Sequence, residues 1–216
     1  MTDPAAFIRA NTEIASPPLV PEIRLHLASE VTPLWQMTER ELDRHNLPPP
    51  YWAFAWPGGQ ALARYLLDHP DTVRGRRVWD IGAGGGLASI AALKAGAASA
   101  TAFEIDPFAL AAIALNGALN GVAPLAEARE VLSEPFAGEA DLILIGDMCY
   151  ERPLAERLVA WLQTAAGRAE ILLADPGRAY LPKTGLELVI SYAVPTSLDL
   201  EDRAIRTTAI YRLAVA

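Results

Sequence analysis

Short apolar runs of strand length alternate with longer, Ala- and Leu-rich segments of helical periodicity from about residue 78 onward. This alternation leaves few possible folds, because strands separated by helices pair in parallel within one helix-covered sheet. Helices are predicted to contain Ser89–Lys94, Phe108–Asn120 and Pro153–Ala165. Five parallel strands are predicted over Val78–Ile81, Ala100–Glu104, Leu125–Arg129, Asp141–Ile145 and Ile171–Ala174.

The last part of the chain departs from this alternation. Leu186–Val194 and Ala204–Ala214 are both strand-like, and the turn region between them is too short for a helical crossover, so they are predicted to pair antiparallel. The sequence therefore predicts an α/β fold with a seven-stranded Rossmann-like sheet, made of five parallel strands plus an antiparallel C-terminal pair. A single domain is expected over residues 1–216, with an irregular, Pro-rich N-terminal extension (1–55) beside the core (56–216).

Charge and composition exclude several classes of protein. The 26 acidic and 18 basic residues leave a net charge of -8, which argues against nucleic-acid binding and either suits a basic partner or only keeps the protein soluble. The single cysteine, Cys149, excludes an internal disulfide, and the three histidines lack metal-ligand spacing, so no metal is expected. Without an apolar span or a targeting segment, the chain is expected to be cytoplasmic, with no membrane contact.

A glycine-rich run, V-W-D-I-G-A-G-G-G-L, follows the first predicted parallel strand. Gly82, Gly84 and Gly86 lie where the backbone must turn sharply and approach a ligand closely. Leu87 stands where the dinucleotide fingerprint G-x-G-x-x-G requires its third glycine, which argues against NAD. The alternative is a plain strand-to-helix corner.

Acidic residues close the second predicted strand in A-F-E-I-D-P. Glu104 is predicted to accept hydrogen bonds from both hydroxyls of a ribose. Asp106 precedes Pro107 and is predicted to be the N-cap of the next helix.

Together the three glycines and Glu104 resemble motifs one and two of S-adenosylmethionine-dependent methyltransferases. The segment P-Y-W-A-F-A-W-P-G-G-Q-A-L-A-R-Y-L resembles an element of their lysine-directed subgroup, and this resemblance implies that Trp56 lines the cofactor pocket, the alternative being a packing role. Asp80 is expected either to hold the turn through backbone amides or to reach the ammonium group of the cofactor. Trp52 and Trp79 are assigned to packing.

The fourth predicted parallel strand ends in D-L-I-L-I-G-D-M-C-Y, which is similar to the D-x-x-Y motif of the same subgroup. The resemblance implies that Asp147 and Tyr150 are the catalytic pair and that Gly146 belongs to the cofactor site. We expect Asp147 to bind and orient the acceptor amine, since a carboxylate favours the ammonium form. The alternative is that Asp147 caps the helix that starts near Arg152.

The fifth predicted strand ends in L-L-A-D-P-G-R, and Asp175 and Arg178 are assigned to substrate binding. Combined with W-P-G-G-Q-A-L-A-R-Y-L-L and G-D-M-x-Y, this element resembles the electron transfer flavoprotein beta-subunit lysine methyltransferases over nearly the whole chain. The resemblance implies a protein-lysine N-methyltransferase that uses S-adenosyl-L-methionine, with that beta subunit as its protein partner. The chain is expected to be a monomer. The alternatives are a methyltransferase for ribosomal proteins or small molecules and a binding module without turnover.

Overall fold

The computed structural model describes residues 3–28, 49–197 and 201–214. Its α-helices in chain order are α1 (Pro4–Asn11), α2 (Pro57–Asp68), α3 (Leu87–Lys94), α4 (Pro107–Leu119) and α5 (Arg152–Ala165). Its strands are β1 (Glu13–Ala15), β2 (Leu25–Leu27), β3 (Arg77–Ile81), β4 (Ser99–Glu104), β5 (Leu125–Ala128), β6 (Leu142–Gly146), β7 (Glu170–Asp175), β8 (Leu186–Pro195) and β9 (Ile205–Leu213).

Seven of these strands form one sheet in the order β5-β4-β3-β6-β7-β9-β8. The pairs within β3 to β7 are all parallel, whereas β9 runs antiparallel to both β7 and β8. The predicted seven-stranded sheet with its antiparallel C-terminal pair is therefore confirmed. Because β3 pairs with β4 on one side and with β6 on the other, the strand order reverses there, and ligands of such sheets bind at the carboxyl ends of strands beside this point.

The central strand β6 shows why the sequence of a central parallel strand is apolar at every position. Leu142 and Leu144 pack into a cluster with α2 and α3, whereas Ile143 and Ile145 pack on the opposite face against α5. All four side chains are fully buried. A parallel strand that is covered on both faces needs apolar residues at every position, and β6 is the backbone support for the residues that follow it.

Two helices that flank the sheet begin in different ways. At α4 the Asp106 side chain accepts a hydrogen bond from the Phe108 amide at 2.8 Å, with Pro107 at the first position, which confirms the predicted cap. At α2 the cap residue Trp56 makes no side-chain hydrogen bond to the helix. The first amides of α2 therefore need another acceptor, since they have no partner within the helix.

The N-terminal elements lie beside this core. Strands β1 and β2 pair with each other, and α1 packs on α4 through the rings of Phe7 and Phe108. The fully buried Asn116 accepts a hydrogen bond from the His26 amide and donates one to the Gly85 carbonyl, each at 2.8 Å. This side chain ties β2 to the glycine-rich loop. The expected division into residues 1–55 and 56–216 stays a prediction, and part of it, residues 29–48, lies outside the described residues.

Within the three described ranges, no helix is both long and apolar enough to cross a bilayer.

Candidate active site

A cavity of about 470 Å³ opens at the carboxyl ends of β3, β4 and β6. Ligand pockets typically enclose about 300 to 1,000 Å³, so this one can hold a cofactor-sized molecule. Most of the residues predicted for the site line it, namely Trp56, Gly82, Gly84, Glu104, Gly146, Asp147, Tyr150 and Arg178. Three predicted residues, Asp80, Gly86 and Asp175, are not among the residues that line it.

The glycine-rich loop forms one side of the cavity. Gly82, Gly84 and Gly86 have φ angles of 65°, 53° and 81°, a region that side-chain-bearing residues rarely adopt. A Cβ on Gly82 would also lie 2.9 Å from the sulfur of Met148. The loop therefore requires glycine for its conformation, and at Gly82 for space as well.

Glu104 lies at the end of β4, next to this loop. Its Oε1 accepts a hydrogen bond from the Gly84 amide at 2.7 Å, and its Oε2 accepts one from the Ile105 amide at 3.0 Å. Each carboxylate oxygen can accept a further bond, so the side chain is oriented while acceptor capacity remains. This arrangement suits a ligand that presents two neighbouring hydroxyl groups.

Asp80 is fully enclosed and serves the start of α3. Its Oδ2 accepts hydrogen bonds from the amide and the hydroxyl of Ser89 at 2.9 and 2.7 Å. Burial raises the pKa of Asp80 to about 6, although the hydrogen bonds from Ser89 oppose the rise. Of its two expected roles, the geometry favours anchoring of the turn and of the helix behind it.

Asp147 follows β6 directly, with a φ of 58° that is unusual for a residue other than glycine. Its Oδ2 accepts hydrogen bonds from the Gly58 and Gly59 amides at 2.6 and 3.2 Å. The carboxylate thus supplies the acceptor that the first turn of α2 lacks. The alternative prediction, a cap on the helix near Arg152, is wrong, because Asp147 caps a helix from a distant part of the chain.

The electrostatic environment of Asp147 is mixed. Burial raises its pKa to about 7, the Arg178 guanidinium opposes that rise, and the neighbouring Asp175 adds to it. Its Oδ1 lies 3.4 Å from a terminal nitrogen of Arg178. Oδ2 is occupied by two amides, whereas Oδ1 accepts one long hydrogen bond from Arg178 and retains further acceptor capacity.

Aromatic rings form another part of the cavity wall. The ring centroids of Tyr51 and Trp56 are 5.8 Å apart, and those of Tyr51 and Tyr150 are 5.6 Å apart. The Trp56 Nε1 donates a hydrogen bond to the Tyr51 carbonyl at 2.8 Å, which fixes the indole. Burial raises the pKa of Tyr150 to about 12, so its hydroxyl stays protonated at neutral pH. This wall can enclose an alkyl chain.

The two other tryptophans near the site differ in role. Trp79 packs between Phe103 and Phe136, at centroid distances of 4.7 and 5.2 Å, as predicted. Trp52 is 3% exposed and stacks on Phe108, but it also lines the cavity, which its assignment to packing missed.

Arg178 connects the fifth parallel strand to the C-terminal hairpin. Its amide and that of Gly177 donate to Asp175 Oδ1 at 2.6 and 2.7 Å, which closes the turn. Its guanidinium lies 5.8 Å from the Trp56 ring centroid and forms a 2.6 Å ion pair with Glu201. Asp175 is thereby a turn-forming residue, and Arg178 is the member of the pair that faces the cavity.

Sequence reasoning missed two groups of residues at this site. Gly58 and Gly59 supply the amides that hold Asp147, and glycine in a first helical turn was the available signal, since it is unfavourable for the helix itself. Glu201 holds Arg178 from the connection between β8 and β9. No local pattern marks this residue, because its partner is 23 residues away.

Across the described part of the chain, no cluster of three or more His, Cys, Asp or Glu side chains is arranged to hold a metal ion.

Comparison with known proteins gives consistent results for sequence and fold. Residues 61–146 match the family model of ribosomal protein L11 methyltransferase (PrmA). The electron transfer flavoprotein beta subunit lysine methyltransferase of Rattus norvegicus is 38% identical over 213 residues, which cover 95% of this chain and 82% of the rat protein. The PrmA match thus spans strands β3 to β6, whereas the rat relative matches almost the whole chain.

Two solved structures share the fold. Ribosomal protein L11 methylase from Lactobacillus delbrueckii subsp. bulgaricus superposes with a TM-score of 0.53 and 21% identity, over 74% of this chain and 79% of that one. Magnesium protoporphyrin IX methyltransferase from Synechocystis PCC 6803, with bound SAH, has a TM-score of 0.53 and 17% identity, over 73% and 81% of the two chains. At these identities the likeness concerns the fold alone.

Proposed function

The chain belongs to the electron transfer flavoprotein beta subunit lysine methyltransferase family, and from that premise we propose that it transfers methyl groups from S-adenosylmethionine to lysine side chains of that beta subunit. The single observation that carries the proposal is the position of Asp147, which follows β6 at the cavity and whose Oδ1 has only a 3.4 Å contact with Arg178 among the described residues. The beta subunit as acceptor is inferred from the names of the relatives.

The residues around the cavity fit the proposed cofactor. We assign the ribose hydroxyls to Glu104, whose two oxygens are already oriented by backbone amides. For the cofactor we assign Gly82, Gly84 and Gly146, which line the cavity, and Gly86, whose positive φ sets the conformation of the loop, and Asp80 supports this loop through Ser89. Trp56 borders the same space. When bound, S-adenosylmethionine supplies an electrophilic methyl group on a positively charged sulfur.

The acceptor end of the cavity is assigned to Asp147, Tyr150 and Arg178, and Asp175 contributes through the turn that presents Arg178. A lysine chain would pass along the rings of Trp56 and Tyr150, and Asp147 Oδ1 would bind and orient its ammonium group. Deprotonation of a lysine with a pKa near 10.4 costs about 4 to 5 kcal/mol at pH 7. Since Asp147 favours the ammonium, the proton leaves to water, and the contribution of Asp147 is orientation of the nitrogen.

The alternative acceptors, a ribosomal protein or a small molecule, are less favoured. The ribosomal-protein family model matches only residues 61–146, the part with the glycine-rich loop and Glu104. The beta-subunit methyltransferase relatives also match the regions of Trp56 and Arg178. These residues border the end of the cavity to which we assign the acceptor, and residues at that end would determine which acceptor is methylated.

The test is methylation of the purified beta subunit with labelled S-adenosylmethionine, followed by peptide mapping. We expect label on lysine side chains, and a large loss of kcat/KM in Asp147→Ala. Asp71→Asn is the control, because Asp71 is exposed and pairs only with Arg74 among the described residues. Label confined to ribosomal protein or small molecules would overturn the acceptor assignment, and undiminished activity of Asp147→Ala would overturn the site.

A further inference from the structure

Asp147 has a single carboxylate oxygen to offer an acceptor ammonium. Its Oδ2 is engaged by the Gly58 and Gly59 amides, which leaves Oδ1. The cation nearest to Oδ1 among the described residues is Arg178, whose terminal nitrogen lies 3.4 Å away. A charge-assisted hydrogen bond between such groups is typically about 2.7 to 2.9 Å long, so the ion pair of Arg178 with Asp147 is longer and weaker than an ideal one.

The same nitrogen of Arg178 makes a 2.6 Å ion pair with Oε1 of Glu201. Glu201 is itself fixed, because its Oε2 accepts a hydrogen bond from Nε of Arg206 at 3.0 Å and lies 2.9 Å from a terminal nitrogen of the same guanidinium. The Glu201 side chain is only 3% exposed, so its contacts with the two guanidinium groups are shielded from solvent. Arg178 is therefore drawn toward the connection between β8 and β9 and away from β6.

We propose that Glu201 is a positioning residue that holds the Arg178 guanidinium back from Asp147, so that Asp147 Oδ1 stays available to the acceptor ammonium. The proposal rests on the proposed function, in which Asp147 binds the acceptor amine. In this arrangement Arg178 and the acceptor lysine compete for Asp147 Oδ1. The ion pair with Glu201 weakens the contact of Arg178 with this oxygen and thereby favours the lysine.

Removal of the Glu201 charge changes the balance of partners around Arg178. Arg178 already contacts Asp147, and its buried Nε has no hydrogen-bond partner among the described residues. A guanidinium that loses its 2.6 Å partner needs to move by less than 1 Å to close the 3.4 Å distance to Asp147. Once closed, that pair blocks Oδ1.

The experiment compares Glu201→Gln with Asp202→Asn. Asp202 neighbours Glu201, is 65% exposed and pairs with Arg206 but not with Arg178, so it is a matched control for charge and location. We expect Glu201→Gln to raise the KM for the acceptor protein about fivefold or more, while the saturated kcat and the KM for S-adenosylmethionine change less than about twofold. Asp202→Asn should leave all three within about twofold of wild type.

The decisive comparison is made in an Arg178→Met background, which lacks the competing cation. There Glu201→Gln should leave the acceptor KM within about twofold of that of Arg178→Met alone. An acceptor KM that stays at the wild-type value in the single variant Glu201→Gln, or one that Glu201→Gln raises as much in the Arg178→Met background as in wild type, would overturn the proposal. A purely structural role of Glu201 predicts the second outcome, because damage to the fold does not depend on Arg178.

Thermal midpoint and cofactor binding by calorimetry establish that each variant is folded. Glu201→Asp provides the same comparison with the charge retained, and we expect its acceptor KM to rise less than that of Glu201→Gln. Equal effects of Glu201→Asp and Glu201→Gln on the acceptor KM would contradict the role of the charge. Failure of the proposed function itself is distinguishable, because wild type would then methylate no lysine at all.

Discussion

Gly58 and Asp147 approach so closely that a Cβ on Gly58 would lie 2.6 Å from Asp147 Oδ2. It would also meet the Ala174 carbonyl oxygen at 2.7 Å and the Asp147 amide at 2.8 Å, and both are backbone atoms. The hydrogen bond from the Gly58 amide to Asp147 exists because nothing stands between helix α2 and the end of strand β6. This contact orients the carboxylate to which we assign the acceptor amine.

Substitution of Gly58 therefore has a specific expected result. Gly58→Ala should destabilise the fold by about 1 to 3 kcal/mol and lower kcat, because the backbone must shift to relieve the clash and Asp147 moves with it. Urea unfolding and steady-state kinetics measure the two effects.

The adjacent glycine provides the control for this substitution. A Cβ on Gly59 meets only a Leu87 methyl carbon, at 3.9 Å, which is ordinary contact. Gly59→Ala should be neutral or stabilise the helix by up to about 1 kcal/mol, since alanine favours helix over glycine. Equal stability and activity of the two variants would show that the close approach at Gly58 is unimportant.

The raised pKa of Asp147 predicts a dependence of stability on pH. Burial raises this pKa to about 7 in the folded protein, whereas an unfolded aspartate titrates near 3.9. Between these values the folded state binds more protons than the unfolded state, so stability falls as pH rises. The free energy of unfolding of wild type relative to Asp147→Asn should fall by about 2 to 3 kcal/mol between pH 5 and pH 8.

Chemical unfolding of both proteins at the two pH values measures this difference. The comparison with Asp147→Asn is necessary because burial also raises the pKa of Asp80 and Asp106 to about 6, and both proteins share these groups. A difference that stays constant across the range would mean that Asp147 titrates normally.

Glu104 is predicted to govern cofactor affinity. Glu104→Gln replaces one acceptor oxygen by a donor, so it cannot accept from two hydroxyls, and S-adenosylmethionine should bind at least about tenfold more weakly, a loss of about 1.4 kcal/mol. Calorimetric titration measures this affinity. Glu127→Gln, on the exposed face of β5, makes the same change of charge outside the cavity and should bind as wild type does. Unchanged affinity in Glu104→Gln would remove Glu104 from the cofactor site.

The structural role of Asp80, which is to anchor helix α3 through Ser89, can be measured independently of any contact with the cofactor. Asp80→Ala leaves the amide and hydroxyl of the buried Ser89 unpaired and should destabilise the fold by about 2 to 4 kcal/mol. Ser89→Ala removes only the hydroxyl bond and should cost about 1 kcal/mol. Urea unfolding gives both values, and a larger loss in Ser89→Ala than in Asp80→Ala would contradict the anchoring role.

Much of the fold follows from local pattern. The strands of the large sheet agree with their predicted positions within a residue or two. For the central strands β6 and β7 the reason is that a strand buried on both faces must be apolar throughout. The pairing of β8 with β9 follows from the short connection between them. Asp106 shows the same principle at a helix start, where Pro107 fixes the first position.

The site was predictable to the extent that its residues end strands. Glu104 and Asp147 follow β4 and β6, and parallel strands bring their carboxyl ends to one edge. The helix that Asp147 caps was not predictable, because its 89-residue separation from Gly58 leaves no mark on the local sequence. The ion pair between Arg178 and Glu201 was not predictable for the same reason, since the two residues are 23 positions apart.

The sequence by itself determined the order of strands and helices, the glycine turn after β3 and the chemical types of the residues that close each strand, since all of these depend on neighbours along the chain. Only the tertiary structure decided which groups become the hydrogen-bond and ion-pair partners of those side chains. The partners of Asp147 come from α2 and from the turn after β7, and those of Arg178 from the C-terminal hairpin. Hydrogen bonds and ion pairs form between atoms within about 3 Å, and such distances between remote segments exist only once the sheet has assembled.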